Sequence, residues 1–237
     1  MLAAFDAPGR FWRGNLHGHS TASDGALAPE EVCERYREAG YDFVAVSDHF
    51  MERFGWPITD TRAARRAGFT TILGAELHAP STARGDIWHI VAAGLPPDFA
   101  PPASDETGPA LARRAADAGA FVALAHPHWS QLTVDEALSV DAAHALEVYN
   151  HKSHIEVDRG EALGLWDAVL HEGGRLGAIA SDVSHWHDAE AFCGLVLVLA
   201  ETNDPVSLVS GLLSGAYYAS QVPLIHSVAG VEDALVV

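Results

Sequence analysis

Short apolar runs that end at once in an imidazole or a carboxylate punctuate the whole chain. Phe43-Val44-Ala45-Val46-Ser47 stops at Asp48-His49, and Thr70–Leu73 leads through Gly74-Ala75 into Glu76-Leu77-His78. Phe121–Ala125 gives way to His126-Pro127-His128, and Leu176–Ala180 to Ser181-Asp182. Runs this short and this uniformly apolar are the pattern of strands covered on both faces. Helical stretches alternate with them. Pro29-Glu30-Glu31 puts proline and acids in a first turn, with Val32, Tyr36 and Ala39 on one face and Gly40 as the stop. Thr133-Val134-Asp135-Glu136 is a capping box. Further helices are predicted over Thr61–Ala67, near Pro109–Ala118, around Leu163–Leu170, and from Pro205 to Gly215. Roughly seven strand–helix units with short links predict a parallel α/β fold.

No Gly-x-Gly-x-x-Gly turn follows any strand, which argues against a dinucleotide-binding sheet. In a closed barrel all the strand ends meet at one rim, whereas an open sheet would spread them apart. The opening strand ends at His17-Gly18-His19, two residues that share a face, with Asp24 on the loop beyond. The barrel therefore predicts one cluster of His17, His19, Asp24, His49, Glu76, His89, His126, Asp182 and His185. Such a set exceeds the ligand needs of one ion and suits two or three with a bridging carboxylate. Mixed nitrogen and oxygen donors fit Zn²⁺, Mn²⁺ or Fe²⁺ rather than Ca²⁺ or Cu(I). Ions held there would bring a bound water's pKa toward ~7 and neutralise charge on a phosphoryl oxygen.

With 49% hydrophobic and 19% charged residues, the 237-residue chain has the composition of a globular protein rather than a disordered one. No apolar run approaches the ~18–20 residues of a membrane span. Met1–Arg10 lacks a secretory pattern, and Cys33 and Cys193 imply no disulfide framework, so a cytoplasmic location is expected. A net charge of −18 excludes a broad electrostatic grip on duplex nucleic acid and points to a small substrate. There is one lysine, Lys152, among fourteen basic residues, so cationic side chains for a phosphate are scarce; Arg84, near His89, is the candidate. His78 and His128 are expected to line the pocket, with Trp129 and Trp186 as candidate walls. Glu147 and Asn150 are candidates to orient ligands from behind, and Asp48 is expected to be a structural hydrogen bonder. His144, His151, His154, His171 and His226 are read as surface residues. No nucleophile-elbow sequence is present, which disfavours covalent acyl chemistry.

His17-x-His19 with Asp24-Gly25, Ser47-Asp48-His49, Gly74-Ala75-Glu76, His89-Ile90-Val91, Ala125-His126-Pro127 and Ser181-Asp182 through His185 resemble, in order, the motifs of the PHP (polymerase and histidinol phosphatase) superfamily. The resemblance covers about residues 13–200. Ala-His-Pro-His-Trp129, Glu147-Val-Tyr-Asn150 and Tyr217-Tyr-Ala-Ser220 are similar to a branch of small stand-alone members. The resemblance implies one PHP domain over 1–237, a distorted (β/α)7 barrel of TIM-barrel-like form, with the helix and strand of 204–220 completing it. It also implies a di- or trinuclear centre and hydrolysis of a phosphate ester or nucleotide by a metal-activated hydroxide. By position, His17, His19, Glu76 and Asp182 would hold one ion, with Glu76 bridging to a second on His89 and His126. Asp24, His49 and His185 would hold the third. The last motif departs from the commoner Asp-x-His, which leaves Ser184, His185 and His187 as alternatives for its histidine. A hydrolase of carboxylic or carbamate esters, or a non-catalytic metal-binding module, are the other readings.

Overall fold

The computed structural model describes residues 8–225, 228–231 and 234–236; most of Met1–Arg10, and His226, lie outside them. Seven strands form the wall of a nearly closed barrel: β1 (Arg10–Asn15), β2 (Phe43–Val46) with its short continuation β3 (His49–Phe50), β4 (Thr70–Ala79), β5 (Trp88–Ala93), β6 (Phe121–Leu124), β7 (Ala145–Asn150) and β8 (Gly177–Ser181). β1, β2 and β4 are parallel, as are β6, β7 and β8, but β5 is antiparallel to both its neighbours. The all-parallel expectation is thus corrected at one strand, because the link from β4 to β5 is a hairpin with no helix in it. β9 (Leu195–Ala200) and β10 (Tyr217–Ser220), joined through a helix, form an antiparallel pair on the outer edge of β1.

The seam between β1 and β8 closes in two ways. At the rim the two strands meet directly: Gly18 pairs with Ser184 in parallel, Val183 N donates to His17 O at 2.9 Å, and His19 N to Ser184 O at 2.8 Å. A Cβ on Gly18 would lie 2.9 Å from Ser184 Oγ, so the approach depends on glycine there. Lower down, β9 and β10 fill the gap, and Tyr217 packs so closely over Gly177 that a Cβ there would collide with its hydroxyl.

Helices α1 (Pro29–Glu38), α2 (Gly108–Asp117), α3 (Val134–Ser139), α4 (His151–Val157), α5 (Leu163–His171) and α6 (Pro205–Leu213) cover the wall. The predicted caps form: Thr133 and Glu136 make the reciprocal capping box, and Asp204 accepts from Val206 N and Ser207 N. The helix predicted over Thr61–Ala67 is reduced to a single 3-10 turn, Arg62–Ala64, because Arg65 turns extended and its guanidinium binds Thr71 O. No helix among the described residues is long and apolar enough to cross a membrane.

Alternation along the strands explains both the core and the site. Phe43, Ala45, Ile72, Ala93, Phe121, Ala123, Ala145 and Ile179 fill the barrel interior. Val44 and Val46 pack outward under α1, and Val122 and Leu124 pack outward in the other flank of the core. Because both faces are covered, the strands read as unbroken apolar runs. The inward positions continue toward the rim with period two. From Ala45 they reach His49, from Ile72 Glu76, from Ala145 Glu147 and from Ile179 Ser181. Along the reversed β5 they run from Ala93 back to His89. A polar layer is therefore stacked on an apolar floor.

Candidate metal centre

Glu76 is the hub of this layer. It is fully buried within β4, a strand that continues past the predicted stop at Leu73 to Ala79. Its Oε1 lies 2.7 Å from His89 Nδ1 and 3.1 Å from His126 Nε2. Its Oε2 lies 3.6 Å from both His17 Nε2 and His19 Nε2, and 2.6 Å from His49 Nδ1. Burial alone would raise the Glu76 carboxyl, but His78, His49 and His89 outweigh it and hold it well below the carboxylate range. Four groups of side chains bring ligand atoms within 4.8 Å of one another: His17, His19, Glu76; Glu76, His89, His126; His49, Glu76, His78; and His19, Asp24, His49, His185. Eight of the nine ligands expected from sequence are brought together here.

The donor atoms of this layer fit metal ions. His17 Nε2 and both ring nitrogens of His19, which surround Glu76 Oε2, are buried without a hydrogen-bond partner. Buried polar atoms are ordinarily paired, so several orphans converging on one point mark a place for a cation. The histidines are also aimed. His17 Nδ1 donates to Glu147 Oε1 at 2.7 Å, which leaves Nε2 as the lone-pair nitrogen facing Glu76. Glu147 is a buried clamp. It also accepts from Ser181 Oγ at 2.6 Å, His126 N at 2.7 Å and Asn150 Nδ2 at 3.0 Å. His185 Nδ1 donates to Val183 O at 2.9 Å, turning Nε2 to within 3.4 Å of Asp24 Oδ1, and its ring stacks on His19 at 4.1 Å.

Several expected residues sit elsewhere. Asp182 joins none of the four groups. Its carboxylate already accepts from Phe192 N, Cys193 N, Gly194 N and Tyr36 Oη at 2.7–2.9 Å, so it anchors the segment leading into β9. Of the three candidates after it, Ser184 Oγ shares a hydrogen bond with Tyr36, His187 reaches only the backbone of Asp24, and His185 faces the cluster. The extra residue in this motif is absorbed by Val183 at φ +55°, a left-handed conformation costly for a β-branched side chain. His128 is exposed and binds Glu161 O beside a neighbouring groove, and Arg84 lies outside the cavity at the cluster. His78 packs behind His49, 2.9 Å from its Nδ1, with its own Nδ1 on Trp88 O. Trp129 stands edge-on to His89 and His126, whereas Trp186 packs into Tyr36 and Phe192 away from the pocket. Asp48 is the structural bonder expected, accepting from Ser20, Ser23 and Thr59. His144 is half-buried rather than a free surface group, stacked on Phe121.

Two residues escaped the sequence reading. Lys152 lines the cluster cavity and pairs with Glu190 at 2.7 Å and Glu156 at 2.9 Å. It lies two residues past the end of β7, so the same strand-end logic that located the histidines would have placed it at the rim. Glu190, 1% exposed, also accepts from the backbone N–H groups of His185 and Trp186. No motif announced it.

The PHP domain family model matches residues 15–226, and the chain belongs to that family. Three solved structures share the fold. A two-domain protein from Bacteroides vulgatus containing a predicted PHP-like metal-dependent phosphoesterase aligns with TM-score 0.65 at 19% identity, over 91% of this chain and 67% of its own. A candidate metal-dependent phosphoesterase from Bifidobacterium adolescentis aligns at 0.58 and 15%, over 85% and 96%. An amidohydrolase from Chromobacterium violaceum with bound sulfate and no metal aligns at 0.56 and 17%, over 75% and 89%. No curated protein matches the chain.

Proposed function

We propose that this protein is a metal-dependent hydrolase of a small phosphate ester or nucleotide, with 1–237 forming one PHP domain. The observation that carries the reading is the convergence of unpartnered buried ligand atoms around Glu76. In this reading His17, His19 and Glu76 hold one ion, Glu76, His89 and His126 a second, and Asp24, His49 and His185 a third, with Zn²⁺, Mn²⁺ or Fe²⁺ as the fitting metals. Three protein ligands per ion leave coordination positions open, as catalytic rather than structural centres require. The ions would supply an activated water and neutralise charge developing on phosphorus. The chain's own residues fix the geometry: Glu147 holds His17 in one tautomer, Val183 O holds His185, and Glu190 holds the loop that carries His185. Trp129 lines one side of the chamber. Lys152 is the lysine or arginine that lines the cluster chamber, in the role that sequence gave to Arg84.

The amidohydrolase neighbour supports a second reading, cleavage of a carbonyl ester or amide at the same centre. Hydrolysis of p-nitrophenyl phosphate and p-nitrophenyl acetate, before and after chelation and after returning Zn²⁺, Mn²⁺ or Fe²⁺, separates the two. Metal-restored phosphate release that is lost in His17→Ala/His19→Ala is the expected outcome. Esterase activity without phosphatase activity under every metal would overturn the phosphoester reading.

A further inference from the structure

The chamber at the cluster is small, about 150 Å³. That is room for a phosphoryl group and little more. It adjoins a second cavity of about 550 Å³, with which it shares His49, His89 and Trp129. The outer cavity has the size of a small-molecule site, and its wall carries Arg53 and Arg159. Seven of the thirteen arginines are paired with acids, among them Arg10 with Asp42, Arg62 with Asp60, Arg113 with Asp141 and Arg114 with Glu106. Among the described residues, the guanidinium groups of Arg53 and Arg159 meet no carboxylate within 4.0 Å. The one acid on the same wall is Asp86.

Both arginines are placed by the structure that builds the site. Arg53 lies over the ring of Phe54 at 4.5 Å, and Phe54 is nearly parallel to His49, 16° apart with centroids at 6.1 Å. The guanidinium is thereby stacked, through one ring, onto a member of the cluster. Arg159 follows Asp158, which ends α4 in a left-handed turn (φ +54°), and its own N–H is bonded to Ser153 O. Trp129 is 43% exposed and offers an apolar face between the two cavities. A −18 chain that leaves two guanidinium groups unneutralised beside its deepest polar cluster has a place for an anion.

We propose that the outer cavity binds a second anionic group of the substrate, so that the preferred ester carries a carboxylate or a further phosphate on a flat or apolar body lying along Trp129. The assignment rests on the phosphoesterase reading for the scissile group, but the subsite is a binding property and is measurable without turnover. Guanidinium pairs with either anion in bidentate fashion. The probes are benzylphosphonate, 4-(carboxymethyl)benzylphosphonate and p-xylylene-bisphosphonate, titrated calorimetrically into metal-loaded protein. The second anion is expected to tighten binding about tenfold, and Arg53→Ala/Arg159→Ala to bring all three ligands to within about twofold of one another. A gain for only one of the two dianions identifies which anion the site takes. Equal affinities in the unaltered protein, or a gain that survives in the double variant, would overturn the subsite. Phosphate release from the matching phosphate monoesters is followed in parallel. Anion-dependent binding without release contradicts the phosphoesterase reading and leaves the subsite standing, while release without anion dependence does the reverse.

Discussion

Six imidazoles press on the single carboxylate of Glu76, and the balance of protons among them makes the cluster sensitive to pH when metal is removed. Burial would lower His17, but Glu147 and Glu76 outweigh it and raise it to about 9. Burial likewise opposes His49, which Glu76 and Asp24 raise to about 10. Both values lie above the unfolded one of 6.5, so the folded state binds these protons more tightly. The stabilisation is complete below pH ~6.5 and is lost as pH rises through about 9 to 10. Chelated protein is therefore expected to melt at progressively lower temperature from pH 7 to pH 10. Metal-loaded protein, whose ions replace those protons, should show a flatter profile. A chelated melting temperature that rises over this interval would contradict the assignment. Glu147 supplies a second prediction at this scale. Glu147→Gln keeps the shape of the clamp and removes its charge, and metal affinity should fall by about 10–100-fold. Competition against a chromophoric chelator measures the loss, with circular dichroism to confirm the fold.

The barrel seam is the element on which the site's alignment depends, because it brings His17 and His19 of β1 beside His185 beyond β8. Gly177→Ala forces a methyl into the Tyr217 hydroxyl, and overpacking of this kind costs about 1–3 kcal/mol. Adding Tyr217→Phe removes the colliding oxygen and should recover part of the loss in urea unfolding; no recovery would mean that the strain lies elsewhere. The strands, the caps and most ligands were legible because each is written in local chemistry. Apolar runs, capping residues and polar strand ends need no knowledge of the partner. Strand direction was not legible. The link from β4 to β5 reads as an ordinary loop, which predicts a parallel β5; His89 reaches the rim because it stands near the start of an inverted strand. Asp182 shows a related effect. Its motif position suggests a ligand, but three backbone N–H groups from a segment ten to twelve residues later claim its oxygens, and sequence spacing does not show where that segment returns.

For the molecule as a whole, the acidic surface and the basic outer cavity belong to one account of substrate choice. A net charge of −18 repels polyanions at long range, while the few cations left unpaired near the centre favour a small anion that can enter it. Metal held in the buried polar layer would also be tied to folding. Ions bound by the native cluster and not by the unfolded chain stabilise by mass action, so melting temperature should climb with free metal concentration. The central claim is that Glu76 joins several metal sites into one centre, and metal stoichiometry tests it most directly. Elemental analysis of protein equilibrated with Zn²⁺, Mn²⁺ or Fe²⁺ and freed of excess should give two or three ions per chain. Glu76→Gln, which folds around the same space without the shared charge, should retain at most one. Fewer than one ion per chain in the unaltered protein, or an undiminished count in Glu76→Gln, would contradict the account.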